Sequence, residues 1–373
     1  MDGLEVDVAV VGGGPAGAAL AATLAPGHRV VLVDRPSHRR GREGLGETLP
    51  GAAARLLREL GVWDAFVAQG HPACHARLSR WGGPQLLAQD ALRDLDGAGW
   101  SLDRAAFDGL LLSAATRRGA GLLTGRARVD GHEDNGWSIV IDGGPRPAVT
   151  RVQARVLVDA SGRGSRLLRS VAHREVSALQ GADRLVCLWT HLPVRHPAQG
   201  TSYVESAANG WWFTAPAPGG RRVVSFHTDP DLVDVTALMH TLTDRAAATP
   251  GLAEQLRDSS LDVASSARVC AAGSSRLDRV AGPDWLAVGD AAMAFDPLSS
   301  QGLFHALYTG LTSAPAVSGA LAGDRRALAQ LHGSVEPVWS AYRVAARHAY
   351  ASERRWPDSP FWLARQRRLS LAS

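Results

Sequence analysis

Six consecutive residues, Gly12-Gly13-Gly14-Pro15-Ala16-Gly17, fit the spacing G-x-G-x-x-G, and an acidic residue, Asp34, ends the next apolar run. That combination is the chemistry of a dinucleotide site. Gly12 permits a tight turn, Gly14 lets the backbone approach a pyrophosphate, and Gly17 lets a helix pack close to a sheet. A helix beginning at Ala16 offers free N–H groups and positive potential to phosphates, and Asp34 accepts hydrogen bonds from a ribose diol. Three further side chains are of a type that moves protons: Glu47, His227 and His305. A lone histidine is more often a satisfied core or surface residue than a catalyst, and Glu47 reads as organising its loop before it reads as a base.

The residue types that are missing narrow the chemistry. The 373 residues hold 40 Lys+Arg against 36 Asp+Glu, and every one of those cations is arginine. A chain without lysine excludes a Walker A phosphate loop, Schiff-base chemistry and any side-chain amine nucleophile. The net charge of +4 is modest and the arginines are spread along the chain; nucleic-acid binding is not expected, because the basic tail, Arg365 to Arg368, is short and no aromatic-basic groove pattern accompanies it. Cys74, Cys187 and Cys270 are far apart and lack metal-ligand spacing; they read as buried small hydrophobes in a reducing compartment, with no metal site. No stretch reaches the roughly 18 apolar residues of a transmembrane helix, and the N-terminus runs straight into a strand pattern, so a cytoplasmic protein is expected.

These groups need elements to hold them. Residues 5–11 form a β-branched apolar run, 16–24 an Ala/Leu helix and 28–34 a second strand, a complete βαβ unit. Residues 101–118 predict a helix starting at Ser101 or Asp103. Residues 156–160 predict a buried strand running into Asp159-Ala160-Ser161-Gly162, and 285–288 a third one ending in Gly289-Asp290. Each ends in small and polar residues, as at the carboxyl edge of an open α/β sheet, so they should converge on one crevice. Short alternating strands over 71–99 and 173–269 predict an inserted antiparallel sheet. On one of them lie Trp211, Trp212 and Phe213; alternation puts Trp211 and Phe213 on one face and Trp212 on the other, and Trp212 is expected to face the ligand. The division read from these patterns is 1–70, 100–172 and 270–330 for the dinucleotide domain, 71–99 and 173–269 for a substrate domain, and 331–373 for a C-terminal helical segment.

Five segments in order, VVGGGPAGAAL, GLGETLPG, LDRAAFDGLL, DASGRGSRLLR and AVGDAAMAFDPLSSQGLFHAL, resemble the flavoprotein monooxygenases of the para-hydroxybenzoate hydroxylase type, with their relatives the flavin-dependent halogenases and geranylgeranyl reductases. Gly46-Glu47-Thr48-Leu49-Pro50, Gly210-Trp211-Trp212-Phe213 and the segment from Asp296 to Gly302 are similar to the branch between halogenases and hydroxylases, which includes flavoproteins that modify tryptophan in quinone-cofactor biogenesis. The resemblance implies an α/β fold: a Rossmann-like FAD-binding domain of the glutathione-reductase type, the inserted antiparallel sheet and the helical C-terminus.

The roles it implies fall on matching positions. Gly12, Gly14, Pro15, Ala16 and Gly17 take the FAD pyrophosphate, and Asp34, with Arg35 beside it, the adenosine ribose. Glu47 and Thr48 line the loop near the flavin, Arg104 reaches the cofactor from its helix, and Asp159 belongs to a motif tied to it. Asp290, after Gly289, holds the ribityl chain. Pro297, Ser300, Gln301, Gly302 and Leu303 lie against the isoalloxazine, where a helix N-terminus stabilises an anionic reduced flavin. The implied reaction is hydroxylation, through a flavin C4a-hydroperoxide, of an aromatic or indole substrate, free or displayed on a peptide or carrier protein. Electrons come from NAD(P)H or from a separate flavin reductase. Halogenases of this group carry the halogen on a lysine and place a glutamate where this chain has Ser299, so halogenation is not expected. The alternatives are a reductase without oxygen insertion and, last, a non-enzymatic FAD-binding partner protein.

Overall fold

The computed structural model of the protein describes residues 3–35, 44–91, 94–143, 150–164, 167–168, 183–194, 200–234, 236–259, 266–324 and 326–370. The expected domain division at 172/173 lies outside these residues, as do the side chains of Arg367 and Arg368 in the basic tail.

Seven strands make the first sheet, and Thr150–Asp159 is its pivot. One edge of that strand carries Leu4–Val11 in parallel register, from Leu4 opposite Val152 to Val11 opposite Asp159. Its other edge is shared. The first half pairs antiparallel with Gly136–Asp142, and the last three residues pair parallel with Trp285–Ala287. Val30–Asp34 and Gly121–Thr124 extend the sheet beyond Leu4–Val11, and Arg126–Glu133 closes the other end. The carboxyl ends are therefore held together by backbone bonds: Gly12 N to Val33 O at 2.8 Å, Ala160 N to Val11 O at 2.8 Å, and Val288 N to Asp159 O at 2.9 Å. Gly12 to Gly14 after the first strand, Ala160 to Gly164 after the pivot strand, and Val288 and Asp290 after the third all line one crevice.

The helix Pro15–Leu24 buries every residue except Thr23. Its near-uniform Ala, Gly and Leu composition follows from being packed on all sides, by the sheet and by the helices Arg104–Arg117 and Gly302–Thr312. Truncating the fully buried Leu20 to Ala would cost about 2–5 kcal/mol. Asp103 starts Arg104–Arg117 by accepting from Ala106 N at 3.0 Å, which selects the later of the two expected starts.

The second sheet orders seven strands from Arg268–Ala271 through Val186–Pro193, Arg221–Thr228, Gly210–Ala217, Thr201–Ala207 and Ala76–Arg80 to Leu87–Asp90. All neighbours are antiparallel except Thr201–Ala207 and Ala76–Arg80, which run parallel because the chain reaches them from the two separate insertions. Arg268–Ala271 lies across the expected 269/270 division and pairs in this sheet. The helices Leu238–Ala247 and Pro250–Gln255 cover one face through Leu242 and Leu252. The other face meets Tyr350, Phe361 and Trp362 of the helices Ala327–Ser352 and Pro360–Ser370. Among the described residues, no helix is long and apolar enough to cross a membrane.

Candidate functional site

A cavity of about 1190 Å³ lies between the carboxyl edge of the first sheet and the second sheet. At one end is the glycine turn. Gly12 has φ +117°, and a Cβ there would sit 2.2 Å from the carbonyl oxygen of Ala160. A Cβ on Gly17 would sit 2.0 Å from the carbonyl oxygen of Gly12, whereas one on Gly14 would meet nothing within 4 Å. The first two glycines are thus required by the protein's own packing, and the third leaves its space to the cavity. Gly14 caps Pro15–Leu24 without any side-chain acceptor, so the helix turns unpartnered N–H groups toward that space. Asp34 lines the same end and accepts from Gly13 N at 3.3 Å. These features fit a dinucleotide diphosphate.

Along the wall, Arg104 is buried between two carboxylates. Nη1 donates to Glu47 Oε1 at 2.6 Å, and Nε and Nη2 donate to Asp108 at 3.2–3.3 Å. Burial alone would depress this guanidinium; Glu47 and Asp108 more than offset it and hold the charge in place. A cation in the first turn opposes the helix dipole, and this pairing is what makes it tolerable. Among the described residues, Oε2 of Glu47 is buried with no hydrogen-bond partner, an acceptor open to a donor. Thr48 lines the wall beside it.

A second helix turns its start to the cavity. Asp296 Oδ1 accepts from Leu298 N at 2.9 Å and opens the turn Pro297–Ser299, which Ser299 closes by donating to Asp296 O at 2.8 Å. Ser300 then adopts φ 52°, alone in positive φ among the described non-glycine residues, before Gly302–Thr312 begins with no side-chain cap. Left-handed backbone outside glycine marks a constrained turn. Pro297, Ser300, Gln301, Gly302 and Leu303 all line the cavity. Asp290 lines it too, 3.5 Å from Arg163, and burial raises its carboxyl while Arg163 holds it down.

The second sheet supplies the ceiling. Cross-strand register sets Cys270 opposite Cys187, Cys187 opposite His227, and His227 opposite Trp211. This row faces the cavity, and the indole of Trp211 lies flat on the imidazole of His227, centroids 3.6 Å apart at 3°. Burial pushes His227 down to about 3, so the ring is neutral, and its Nδ1 has no partner among the described residues. Phe213 joins Trp211 on this face.

Several expected residues stand elsewhere. Trp212 does not face the cavity: it packs on the opposite side against Phe226 and donates to Thr249 Oγ1 at 3.1 Å, because the 238–255 helices cover that side. His305 is also off the wall, behind Phe295 with centroids 4.9 Å apart, and burial lowers it to about 4. Asp159 is buried, its Oδ1 accepting from the amide and hydroxyl of Ser161 at 3.0 and 2.7 Å, which shapes the loop against Gly12 instead of reaching the cavity. Gly17 and Gly289 sit one layer behind, each against Ala160 or Ala16, and Arg35 is exposed. The cysteines, far apart in the sequence, include a directly opposed pair. Sequence reasoning missed Arg163, which donates to the carbonyls of Gly273 and, at 2.8 Å, Phe295. It also missed Asp296, although both lie in quoted segments whose charged residues were open to view.

The FAD binding domain family matches residues 5–310 of this chain. The chain belongs to this FAD-binding family. It is an FAD-dependent oxidoreductase. It is 30% identical over 372 residues, 96% of either chain, to the FAD-dependent oxidoreductase LodB of Marinomonas mediterranea. A menaquinone reductase of Mycobacterium tuberculosis is 28% identical over 351 residues, covering 89% of this chain and 79% of the other. Among solved structures, the peptidyl tryptophan dihydroxylase QhpG, essential for tryptophylquinone cofactor biogenesis, superposes with TM-score 0.79 at 27% identity, covering 97% of this chain and 79% of QhpG. The myxobacterial chondrochloren halogenase CndH shares the fold with TM-score 0.84 at 24% identity, over 99% of this chain and 89% of CndH.

Proposed function

We propose that this flavoprotein is a monooxygenase that hydroxylates an aromatic or indole substrate, free or displayed on a peptide or carrier protein. The observation that carries the reading is the single cavity joining a phosphate-type glycine turn to an aromatic ceiling. At about 1190 Å³ it exceeds the roughly 300–1,000 Å³ typical of one small ligand, leaving space for a dinucleotide and a substrate ring.

Gly12, Gly14, Pro15, Ala16 and Gly17 would hold the diphosphate of FAD and Asp34 its ribose, with Asp290 at the ribityl chain and the turn Pro297 to Leu303 against the ring. When bound, FAD would supply the redox chemistry, with NAD(P)H or a separate flavin reductase as the electron source and dioxygen as the co-substrate. The chain's own residues do the rest. Trp211 and Phe213 present flat apolar surface to an aromatic ring and keep water from it. Neutral His227 offers Nδ1 to a polar group of the substrate, and Oε2 of Glu47 accepts a hydrogen bond. Asp296, which burial and then the Asp183 carboxylate push up to about 6, holds or releases a proton near neutral pH at its Oδ atoms. The likeness to QhpG favours an indole as the ring.

Likeness to the menaquinone reductases favours one second reading, a reductase without oxygen insertion. Halogenation has no support in the chain, which has no lysine and carries Ser299 at the glutamate position. The two remaining readings separate on a synthetic tryptophan-containing peptide and on a quinone, each incubated with the FAD-loaded protein and a reductant with and without oxygen. A monooxygenase is inert toward the peptide without oxygen and consumes oxygen in step with product. Full anaerobic turnover of the quinone with no peptide product would replace the proposal by the reductase.

A further inference from the structure

The cavity ceiling holds two thiols that the proposed reaction does not use. Cys187 and Cys270 stand directly opposite each other on the antiparallel strands Val186–Pro193 and Arg268–Ala271. The amide of Ala272 donates to the carbonyl of Leu185 at 2.8 Å, which makes that pair a hydrogen-bonded one. Two residues further along, Cys187 and Cys270 are again such a pair, with Cα atoms about 5.5 Å apart. Disulfides form most often at Cα separations of about 5.5–6 Å. Both thiols are unbridged, and both line the cavity. Their surroundings differ in a useful way. Cys187 is fully buried and burial pushes its thiol up, whereas Cys270 is half-buried and lowered, first by the neighbouring Cys187 thiol and further by the charge of Arg163. Cys74 has no such neighbour; its sulfur faces Ser202 Oγ at 3.9 Å.

We propose that Cys187 and Cys270 are a redox-active dithiol in the cavity wall that hydrogen peroxide closes to a disulfide. The Cys270 thiolate attacks one peroxide oxygen, the O–O bond breaks, and the departing hydroxide takes a proton and leaves as water. Cys270 is now a sulfenic acid. The sulfur of Cys187 attacks that sulfur, the S–O bond breaks, and a second water departs with the proton of Cys187. Two thiols and one peroxide thus give one disulfide and two waters; the sulfurs lose the two electrons that peroxide gains. The bond fastens the edge strand Arg268–Ala271 to its neighbour in the cavity ceiling. This inference goes beyond the proposed hydroxylation and does not rest on it, because the oxidant in its test is added peroxide.

The test treats the full-length, FAD-loaded protein with a few equivalents of hydrogen peroxide, denatures it in N-ethylmaleimide, and maps the digest by mass spectrometry. The expected result is loss of two of the three alkylatable thiols, a linked peptide pair containing Cys187 and Cys270, recovery with dithiothreitol, and unchanged alkylation of Cys74. In Cys187→Ser, Cys270 should accumulate as a sulfenic acid trapped by dimedone, and in Cys270→Ser, Cys187 should stay alkylatable. The proposal is overturned if the wild-type pair stays alkylatable while Cys74 oxidises, or if both cysteines reach sulfinic and sulfonic acids with no linked peptide.

Discussion

The hydroxyl of Tyr350, near the end of the helix Ala327–Ser352, donates to Oδ2 of Asp296 at 2.6 Å and accepts from Nε1 of Trp211 at 3.1 Å. One tyrosine therefore ties the C-terminal helix to the turn at the cavity wall and to the ceiling. Burial comes first among the causes that raise Asp296 to about 6 from its ordinary 3.8, with Asp183 second. A raised acid favours folding while protonated, so its contribution is present below the ordinary pKa and is lost as pH rises through about 6. Asp296→Asn removes the titration and keeps an acceptor for Tyr350. Thermal melts from pH 4 to pH 7 should show the variant gaining on wild type by about 1–3 kcal/mol across that window. A constant difference would mean that Asp296 ionises normally.

Gly12 and Gly14 should fail differently. In Gly12→Ala the new methyl meets the Ala160 carbonyl and the backbone is already at positive φ, so both stability and FAD binding fall. In Gly14→Val the side chain enters open cavity, so the melting temperature of the FAD-free protein stays near wild type while FAD affinity drops by roughly 10- to 100-fold, about 1.4–2.8 kcal/mol. Fluorescence titration with FAD, paired with melts of the FAD-free protein, reads both effects.

The two adjacent tryptophans make opposite predictions. Trp212→Ala leaves a hole under the 238–255 helices and should cost about 3–5 kcal/mol of stability. Trp211→Phe keeps a ring over His227 but drops the bond to Tyr350, so it should change substrate KM and perturb the flavin absorbance band with a smaller stability loss. Melts and steady-state kinetics on both variants check the assignment, and it fails if Trp212→Phe shifts the flavin band and Trp211→Phe does not.

The imidazole of His227 is held neutral by burial, down at about 3. Its ring-proton NMR shifts should be flat from about pH 5 to 8, where an ordinary histidine titrates. A midpoint near 6.5 would show that the ring is open to water.

How much of this was legible in the sequence depended on how local the determinant is. The βαβ unit needs only residues 4–34, and its glycine turn, helix and Asp34 stand as the motif implied. The strands of the second sheet were visible from alternation, but alternation does not say which face is inward. That choice rests on helices 238–255 covering Trp212 and on Tyr350 reaching Trp211 from far along the chain. His305 follows the Ser300 turn closely in sequence, yet helical phase sends its ring behind Phe295. Cys187 and Cys270 meet through strand pairing alone, which no spacing in the sequence announces.

Oxygen transfer is tested most directly with isotopically labelled dioxygen. The FAD-loaded protein, a reductant and a synthetic tryptophan-containing peptide are incubated under the labelled gas, and the peptide is weighed by mass spectrometry. The proposed monooxygenase puts labelled oxygen on the indole. Peptide oxygen drawn from unlabelled water, or a product changed only by two hydrogens, would contradict it.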